Sequence, residues 1–206
     1  MKLSIIICVY NEVKTINKII NKVLNQRIIN NIKKEIIIID NNSDDGTKNI
    51  LKQYNKHKNI IIIYQQKNLG KGNSIIEGIK LSTGDIIIFQ DADLEYDPSN
   101  YNILIEEMLK RNLDAVYGSR ILSNKEYHIY HLHKFAVIFF TKLINMFFRT
   151  DFTDCATNYK LIKSSLLKTF ELEAKSFAID FEISIHLGIK KALCSEVSIE
   201  YNPRTY

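Results

Sequence analysis

An α/β domain, with a mostly parallel central sheet covered by helices on both faces, is the fold class this sequence predicts. Three observations carry the prediction. Isoleucine-rich runs recur at 3–9, 35–39, 60–64 and 86–89. Between them the apolar residues change to a spacing of three and four, as in Ile16, Ile19, Ile20, Val23 and Leu24, which is the period of a helix face. The runs themselves are almost continuously apolar, the pattern of strands buried on both sides. Strands and helices alternating in this way build βαβ units. Ligands of such sheets bind outside the carboxyl ends of the strands.

Taken in order, Leu3–Val9 is the first strand and stops at Tyr10-Asn11-Glu12, with helical spacing from Val13 onward. Glu35–Ile39 is the second, closed by Asp40-Asn41-Asn42-Ser43-Asp44-Asp45-Gly46-Thr47, a cluster of turn-forming residues. Ile50, Leu51 and Tyr54 then form a helix face. Ile60–Tyr64 is the third strand, Asn68-Leu69-Gly70-Lys71-Gly72 a loop, and Ser74–Leu81 a helix. Gly84-Asp85 leads into the fourth strand, Ile86–Phe89, which ends in Gln90-Asp91-Ala92-Asp93-Leu94-Glu95-Tyr96-Asp97-Pro98. Tyr101–Leu109 reads as a helix and Asp114–Gly118 as a strand running into Ser119-Arg120. Residues 121–134 are polar; His128, His131 and His133 lack matched carboxylate or cysteine partners and read as solvated or interfacial histidines. Residues 135–148 are apolar at 11 of 14 positions, too few to span a bilayer. Burial in the core is the leading reading of this helix by frequency. A helix lying in a membrane interface, with Lys134, Lys142 and Arg149 near headgroups, is the competing one. Thr153-Asp154, a helix over Asp180–Leu187 and a strand over Ala192–Tyr201 complete the chain.

The totals fit one domain over residues 1–206, with 46% hydrophobic and 25% charged residues and only 7 Gly and 2 Pro. Such a chain buries roughly 70% of its unfolded surface. A net charge of +5 suits an anionic ligand or membrane surface. With no Arg-rich run or aromatic RNA-binding signature, nucleic acid is not expected as a partner. Cys8, Cys155 and Cys194 are odd in number and far apart, which fits a reducing compartment. No signal peptide is visible, so the chain is expected to be cytoplasmic.

Three polar clusters stand at three strand ends, and in a parallel sheet those ends converge on one crevice. Asp91 and Asp93 are one residue apart. If the chain stays extended there, both carboxylates leave the sheet on the same side and can share one hard cation, since Mg²⁺ typically takes one or two carboxylates plus substrate phosphates. No Gly-x-Gly-x-x-Gly follows the first strand and no Walker-type loop is present, which argues against those nucleotide folds. No Gly-x-Ser-x-Gly elbow supports Ser-His-Asp chemistry.

The segments Tyr10-Asn11-Glu12, Asp40 to Thr47, Asn68-x-Gly70-Lys71-Gly72, Gly84-Asp85 and Gln90 to Pro98 resemble those of family 2 glycosyltransferases of the GT-A fold. Tyr117-Gly118-Ser119-Arg120, Thr153-Asp154-x-x-Thr157-Asn158-Tyr159-Lys160, Phe177 to Glu182 and Tyr201-x-x-Arg204-Thr205-Tyr206 are similar to the branch with dolichol-phosphate mannosyltransferases and polyprenyl-phosphate glycosyltransferases. Each segment is modest alone; in this order they are strong.

The resemblance implies transfer of a hexose, with inversion, from a UDP- or GDP-sugar to a polyprenyl (dolichyl or undecaprenyl) phosphate at the cytoplasmic face of a membrane. It implies a nucleotide-sugar-binding half over 1–119 and an acceptor-binding half over 120–206. Mg²⁺ or Mn²⁺ would be held by Asp91 and Asp93, with Glu95 at a further metal-site position that is often Gln in relatives. Tyr10, Glu12, Ile39 and Asn41 match nucleoside-holding positions; relatives usually carry a second Asp at 41, and Pro at 8 where this chain has Cys8. Lys71, Ala92 and Arg204 fall on the donor side, Arg204 facing the diphosphate, and Arg120 matches a residue that meets acceptor phosphate. Asp154 is the candidate general base, with loop structure or positioning of the acceptor as its alternative role. A phosphate acceptor is already an anion and needs no strong base, whereas a glycan or glycolipid hydroxyl, the alternative acceptor, would need one. A sugar nucleotidyltransferase is the rival from another class, though its N-terminal Gly-rich, Arg-containing signature is replaced here by Tyr10-Asn11-Glu12. In the related branch further residues follow Arg-Thr-Tyr, so the resemblance also implies truncation after Tyr206.

Overall fold

The computed structural model describes residues 1–122 and 131–204, the side chains of His131, Leu132 and His133 excepted. His128 therefore lies outside the described residues, as do the side chains of His131 and His133, and Thr205 and Tyr206. In chain order the elements are β1 (Lys2–Val9), α1 (Ile16–Asn25), β2 (Lys33–Asp40), α2 (Thr47–Lys52), β3 (Ile60–Tyr64), α3 (Lys71–Leu81), β4 (Ile86–Asp91), α4 (Tyr101–Arg111) and β5 (Ala115–Ser119). They continue with α5 (His131–Phe148), β6 (Lys160–Lys163), α6 (Ser164–Leu167), α7 (Ile179–Ile189) and β7 (Cys194–Ser198). Among the described residues they form one seven-stranded sheet in the order β3-β2-β1-β4-β6-β5-β7. All its pairings are parallel except those of β6, which runs antiparallel to both β4 and β5.

The isoleucine runs fill two cores, one on each face, because successive strand side chains point to opposite sides. Leu3, Ile5, Ile7 and Val9 of β1, with Ile36, Ile38, Ile86 and Ile88, pack under α1, α2 and α4. Ile6, Ile37, Ile39, Ile87 and Phe89 pack under α3, α6 and α7. Each such side chain, taken fully out of water, contributes about 1.5–3 kcal/mol.

The register positions the site. Val9 lies opposite Asp40, and Cys8 lies opposite both Ile39 and Asp91, so β1, β2 and β4 end at nearly the same level. The polar residues that follow them emerge along one rim.

Four expectations need correction. Helix α3 begins at Lys71, not Ser74, so Lys71 and Gly72 form its first turn instead of a loop. The last strand covers Cys194–Ser198 within the expected 192–201. Strand β6 was not foreseen: with lysines at both ends of Leu161-Ile162 it offers no run for a periodicity argument. Helix α5 is not a core helix. Thr141 and Ile144 are buried, but Phe135, Phe139, Phe140, Met146 and Phe147 are between 48% and 70% exposed. An eighteen-residue helix that packs mainly along α7 leaves its outer face uncovered.

Candidate functional site

The rim is built first by two interlocked turns. Asn11, at a left-handed φ of 54°, donates its backbone N–H to Ser43 Oγ at 2.9 Å and exchanges side-chain bonds with Asp44 at 2.8 and 2.9 Å. The Glu12 N–H donates to Thr47 Oγ1 at 2.9 Å and the Val13 N–H to Asp45 Oδ2 at 3.0 Å. These bonds satisfy the backbone where strand becomes turn and leave Tyr10 47% exposed at the cleft mouth.

Asn41 uses both ends of its amide. Its Oδ1 accepts from the Leu69 N–H at 2.8 Å, and its Nδ2 donates to Asn68 Oδ1 at 2.8 Å. An aspartate would keep the first bond and lose the second, since an ionised carboxylate only accepts. The asparagine therefore fits the local lattice of this chain.

Beyond Asn68 the backbone is clamped by a distant segment. Gly70 has φ +87°, and a Cβ on it would stand 2.1 Å from Lys175 O. A Cβ on Gly72 would stand 1.9 Å from Ala174 O. Only glycine admits this approach, and the Gly72 N–H donates to Lys175 O at 3.0 Å. Glu182 of α7 braces the clamp by accepting the N–H groups of Glu173 and Ala174 at 2.9 and 3.0 Å. Phe177 is thereby set above Lys71, whose ammonium lies 5.2 Å from the ring centroid.

Lys71 also meets Asp91 Oδ1 at 3.0 Å and Asp180 Oδ2 at 4.0 Å. Burial opposes its charge, yet the carboxylates of Asp91 and Asp180 outweigh that and hold its pKa above the ordinary lysine value. Lys160 is fully buried and donates to Asp180 Oδ1 at 3.1 Å and to the Thr157 carbonyl. Burial pushes its pKa down, with Asp180 partly offsetting the effect. Cys8 sits nearby; burial pushes its thiol up to about 12, which removes it as a nucleophile at neutral pH.

Asp93 is placed by a turn, not by the strand pleat. Strand β4 ends at Asp91, and Asp93 Oδ1 accepts the Glu95 N–H at 3.0 Å, so the extended arrangement expected for 91–93 is replaced. Burial, then repulsion from Asp91 and Glu95, raises the Asp93 carboxyl to about 7. Such crowded carboxylates are short of positive charge. The nearest cation is Arg204, whose Nη2 lies 3.9 Å from Asp93 Oδ2 and donates to Glu12 Oε1 at 2.5 Å. Glu95 turns to the C-terminal segment. It accepts from Tyr201 Oη at 2.5 Å and from the Arg204 N–H at 3.1 Å.

A second locus lies at the ends of β5 and the 153–157 loop. Arg120 grips Asp154 with two parallel bonds, Nε to Oδ2 at 2.7 Å and Nη2 to Oδ1 at 2.8 Å, and adds its backbone N–H at 3.2 Å. Asp154 is fully buried. Glu196 of β7 holds the loop by accepting the N–H groups of Thr153 and Asp154 at 2.7 and 3.1 Å. The guanidinium carbon sits 5.3 Å from the Tyr201 ring centroid, and Tyr201 packs at a tilt on Tyr96, which in turn stacks on Tyr159, both at centroid spacings of 5.0 Å. Tyr201 thus touches Glu95 on one side and Arg120 on the other, joining the two loci.

A cleft of about 320 Å³ collects Tyr10, Glu12, Asn41, Lys71, Asp91, Ala92 and Asp93, together with Phe177. Arg204 borders it through Glu12 and Asp93, and Glu95 stands behind Asp93. Ile39 is not brought there: its side chain is fully buried in the core beneath α3. Arg120 and Asp154 stand outside the cleft lining. Phe177, Asp180 and Lys160 gained no role from the sequence, although Phe177 to Glu182 and the lysine after Asn158-Tyr159 both lay in its recognisable segments. Among the described residues no group of three or more His, Cys, Asp or Glu is disposed to hold a metal ion. The donor set on the rim is the pair Asp91 and Asp93, hard oxygen ligands of the number Mg²⁺ or Mn²⁺ takes from protein when phosphates supply the rest. The raised Asp93 carboxyl marks the charge deficit such an ion would fill.

Residues 4–170 match the profile described as Glycosyl transferase family 2. The chain is 27% identical over 213 residues to a dolichyl-phosphate beta-glucosyltransferase of Trichomonas vaginalis, covering 97% of this chain and 65% of the relative. It is 30% identical over 120 residues to the dolichol-phosphate mannosyltransferase of Pyrococcus furiosus, covering 58% of this chain and 33% of that one. The chain thus spans less than two thirds of either. Its fold superposes, with a TM-score of 0.72 and 15% identity, on glucosyl-3-phosphoglycerate synthase from Mycobacterium tuberculosis in complex with Mn²⁺, UDP and phosphoglyceric acid. That likeness covers 99% of this chain and 72% of the other, and it makes the fold GT-A.

Proposed function

The chain belongs to glycosyl transferase family 2, and from that premise we propose that it transfers a hexose, with inversion, from a UDP- or GDP-sugar to a polyprenyl phosphate. Family membership sets the nucleotidyltransferase reading aside. Tyr10, Glu12 and Asn41 line the nucleoside end of the cleft. Asp91 and Asp93 hold Mg²⁺ or Mn²⁺, which when bound takes up the negative charge that develops on the leaving nucleoside diphosphate. Lys71 and Arg204 flank that charge from two sides, and Arg204 exchanges Glu12 for phosphate oxygens. Glu95 anchors the segment that carries Arg204 and enters the metal set only by giving up its bonds to Tyr201 and the Arg204 N–H.

The observation that carries the acceptor is the state of Asp154. Both its oxygens are committed to Arg120 and it is shut away from solvent. A general base must reach the proton it removes, and this carboxylate instead orients a guanidinium. A planar fork fixed in that way suits phosphate oxygens, and a phosphate nucleophile needs no base. The exposed phenylalanines of α5, with Lys134, Lys142 and Arg149 on the same helix region, fit a helix lying at the cytoplasmic surface of a membrane. Among the described residues no helix is long and apolar enough to cross one.

Incubation with radiolabelled UDP- and GDP-hexoses, Mn²⁺ and a short polyprenyl phosphate tests the reading. Label is expected in an organic-soluble, mild-acid-labile product. Label appearing only in a water-soluble glycan would overturn the lipid acceptor and restore the base.

A further inference from the structure

A line of alternating charges runs from the cleft into the core: Asp91, Lys71, Asp180, Lys160. The successive separations are 3.0, 4.0 and 3.1 Å. Its inner half has no contact with the cleft. Asp180 is 4% exposed and Lys160 0%, and Lys160 is closed off by the Thr157 carbonyl and by the Tyr117 ring, 4.9 Å from its ammonium. Asp180 is fixed by its place in the first turn of α7 and by Ser184, whose Oγ donates to the Asp180 carbonyl at 3.0 Å. A buried ion pair adds little stability over an apolar pair of the same shape, so its presence here asks for another explanation.

The outer half supplies one. A lysine ammonium that belonged wholly to Asp91 would neutralise it and make it a poor ligand for a dication. Asp180 draws the same ammonium inward, and Lys160 compensates Asp180 so that it does not take Lys71 altogether. We infer that Asp180, backed by Lys160, is a positioning residue for the metal and donor site: it shares Lys71 with Asp91 and so keeps Asp91 available to a divalent cation. The inference rests on the metal reading above. It assigns a role to two residues that never touch the donor.

The test measures Mn²⁺ binding without donor, from the electron paramagnetic resonance signal of the free aqueous ion. Asp180→Asn alone strands Lys160 and is at risk of misfolding, so both partners are removed together as K160M/D180N. Removing such a pair jointly avoids an uncompensated buried charge. With Lys71 present, K160M/D180N is expected to weaken Mn²⁺ about tenfold, the low end for loss of an outer partner of a metal ligand. In a K71M background the same two changes are expected to leave Mn²⁺ affinity unaltered within about twofold, and K71M alone to tighten it, as a double-mutant cycle requires of residues acting through one another. Equal losses with and without Lys71 would mean a merely structural role and overturn the inference. Unchanged affinity in K160M/D180N would overturn it while the metal reading stands. Absence of Mn²⁺ binding by the unaltered protein would overturn both.

Discussion

The two loci of the site are made in different ways. At the cleft, polar residues arrive at the ends of three parallel strands whose register is set by packed isoleucines. Asp91 and Glu12 there meet Lys71 and Arg204, while Asp93 stands crowded and under-neutralised, its carboxyl raised to about 7. At the second locus, Arg120 and Asp154 are 34 residues apart and are held by Glu196, Tyr201 and an aromatic stack drawn from across the chain. There the central guanidinium–carboxylate pair is closed, with Asp154 fully buried. One locus stores unfavourable electrostatics for a ligand to relieve; the other spends its contacts on holding a single guanidinium still.

Stability measurements can break this contrast. The largest effect is expected from Arg120→Ala, which leaves Asp154 charged and buried without its cation; unfolding in urea should show a loss of about 3–5 kcal/mol, together with loss of transfer. Asp93→Asn should abolish transfer to a similar degree, by about 10²–10³-fold, yet move stability the other way. The Asp93 carboxyl is raised in the folded state from an ordinary value of 3.8 to about 7, so the native protein holds the extra proton between those pH values. Its contribution is complete below about pH 4 and is lost as pH rises through about 7. In metal-free buffer at pH 8, Asp93→Asn should therefore be more stable than the unaltered chain by up to a few kcal/mol, with the difference vanishing near pH 4. Equal losses in the two variants would erase the distinction between the loci.

Smaller changes sharpen it. Gly72→Ala drives a methyl into the Ala174 carbonyl and should cost about 1–3 kcal/mol with a raised KM for the donor, read by steady-state kinetics. Exchanging Phe139 and Phe147 together for Ser should leave the urea midpoint nearly unchanged, within about 0.5 kcal/mol for exposed positions. The same variant should lose co-sedimentation with anionic vesicles if α5 lies on a membrane.

The contrast also explains what was legible in the sequence. Strands β1 to β4 and their terminal clusters could be read directly, because apolar runs and turn residues are local signals. The convergence of Tyr10, Asn41 and Asp91 followed from parallel topology alone. The Ile39 side chain points away from the cleft and into the core beneath α3. Strand β6 and the Arg120–Asp154 pair depend on partners far along the chain, which no periodicity encodes. Phe177 and Asp180 stood in a recognisable segment, but only the fold brings them against Lys71. The outward face of α5 was ambiguous because composition tells how apolar a helix is and not what covers it.

The clamp has a consequence for synthesis. Lys175 seals against Gly70, a hundred residues behind it, so a nascent chain that has already paired β1, β2 and β4 still lacks one wall of its donor cleft. At about 5–20 residues per second that wall arrives roughly 5 to 20 s later. By then the segment bearing Arg120 and Asp154 has been made, so the cleft is completed only in a chain that already carries the second locus.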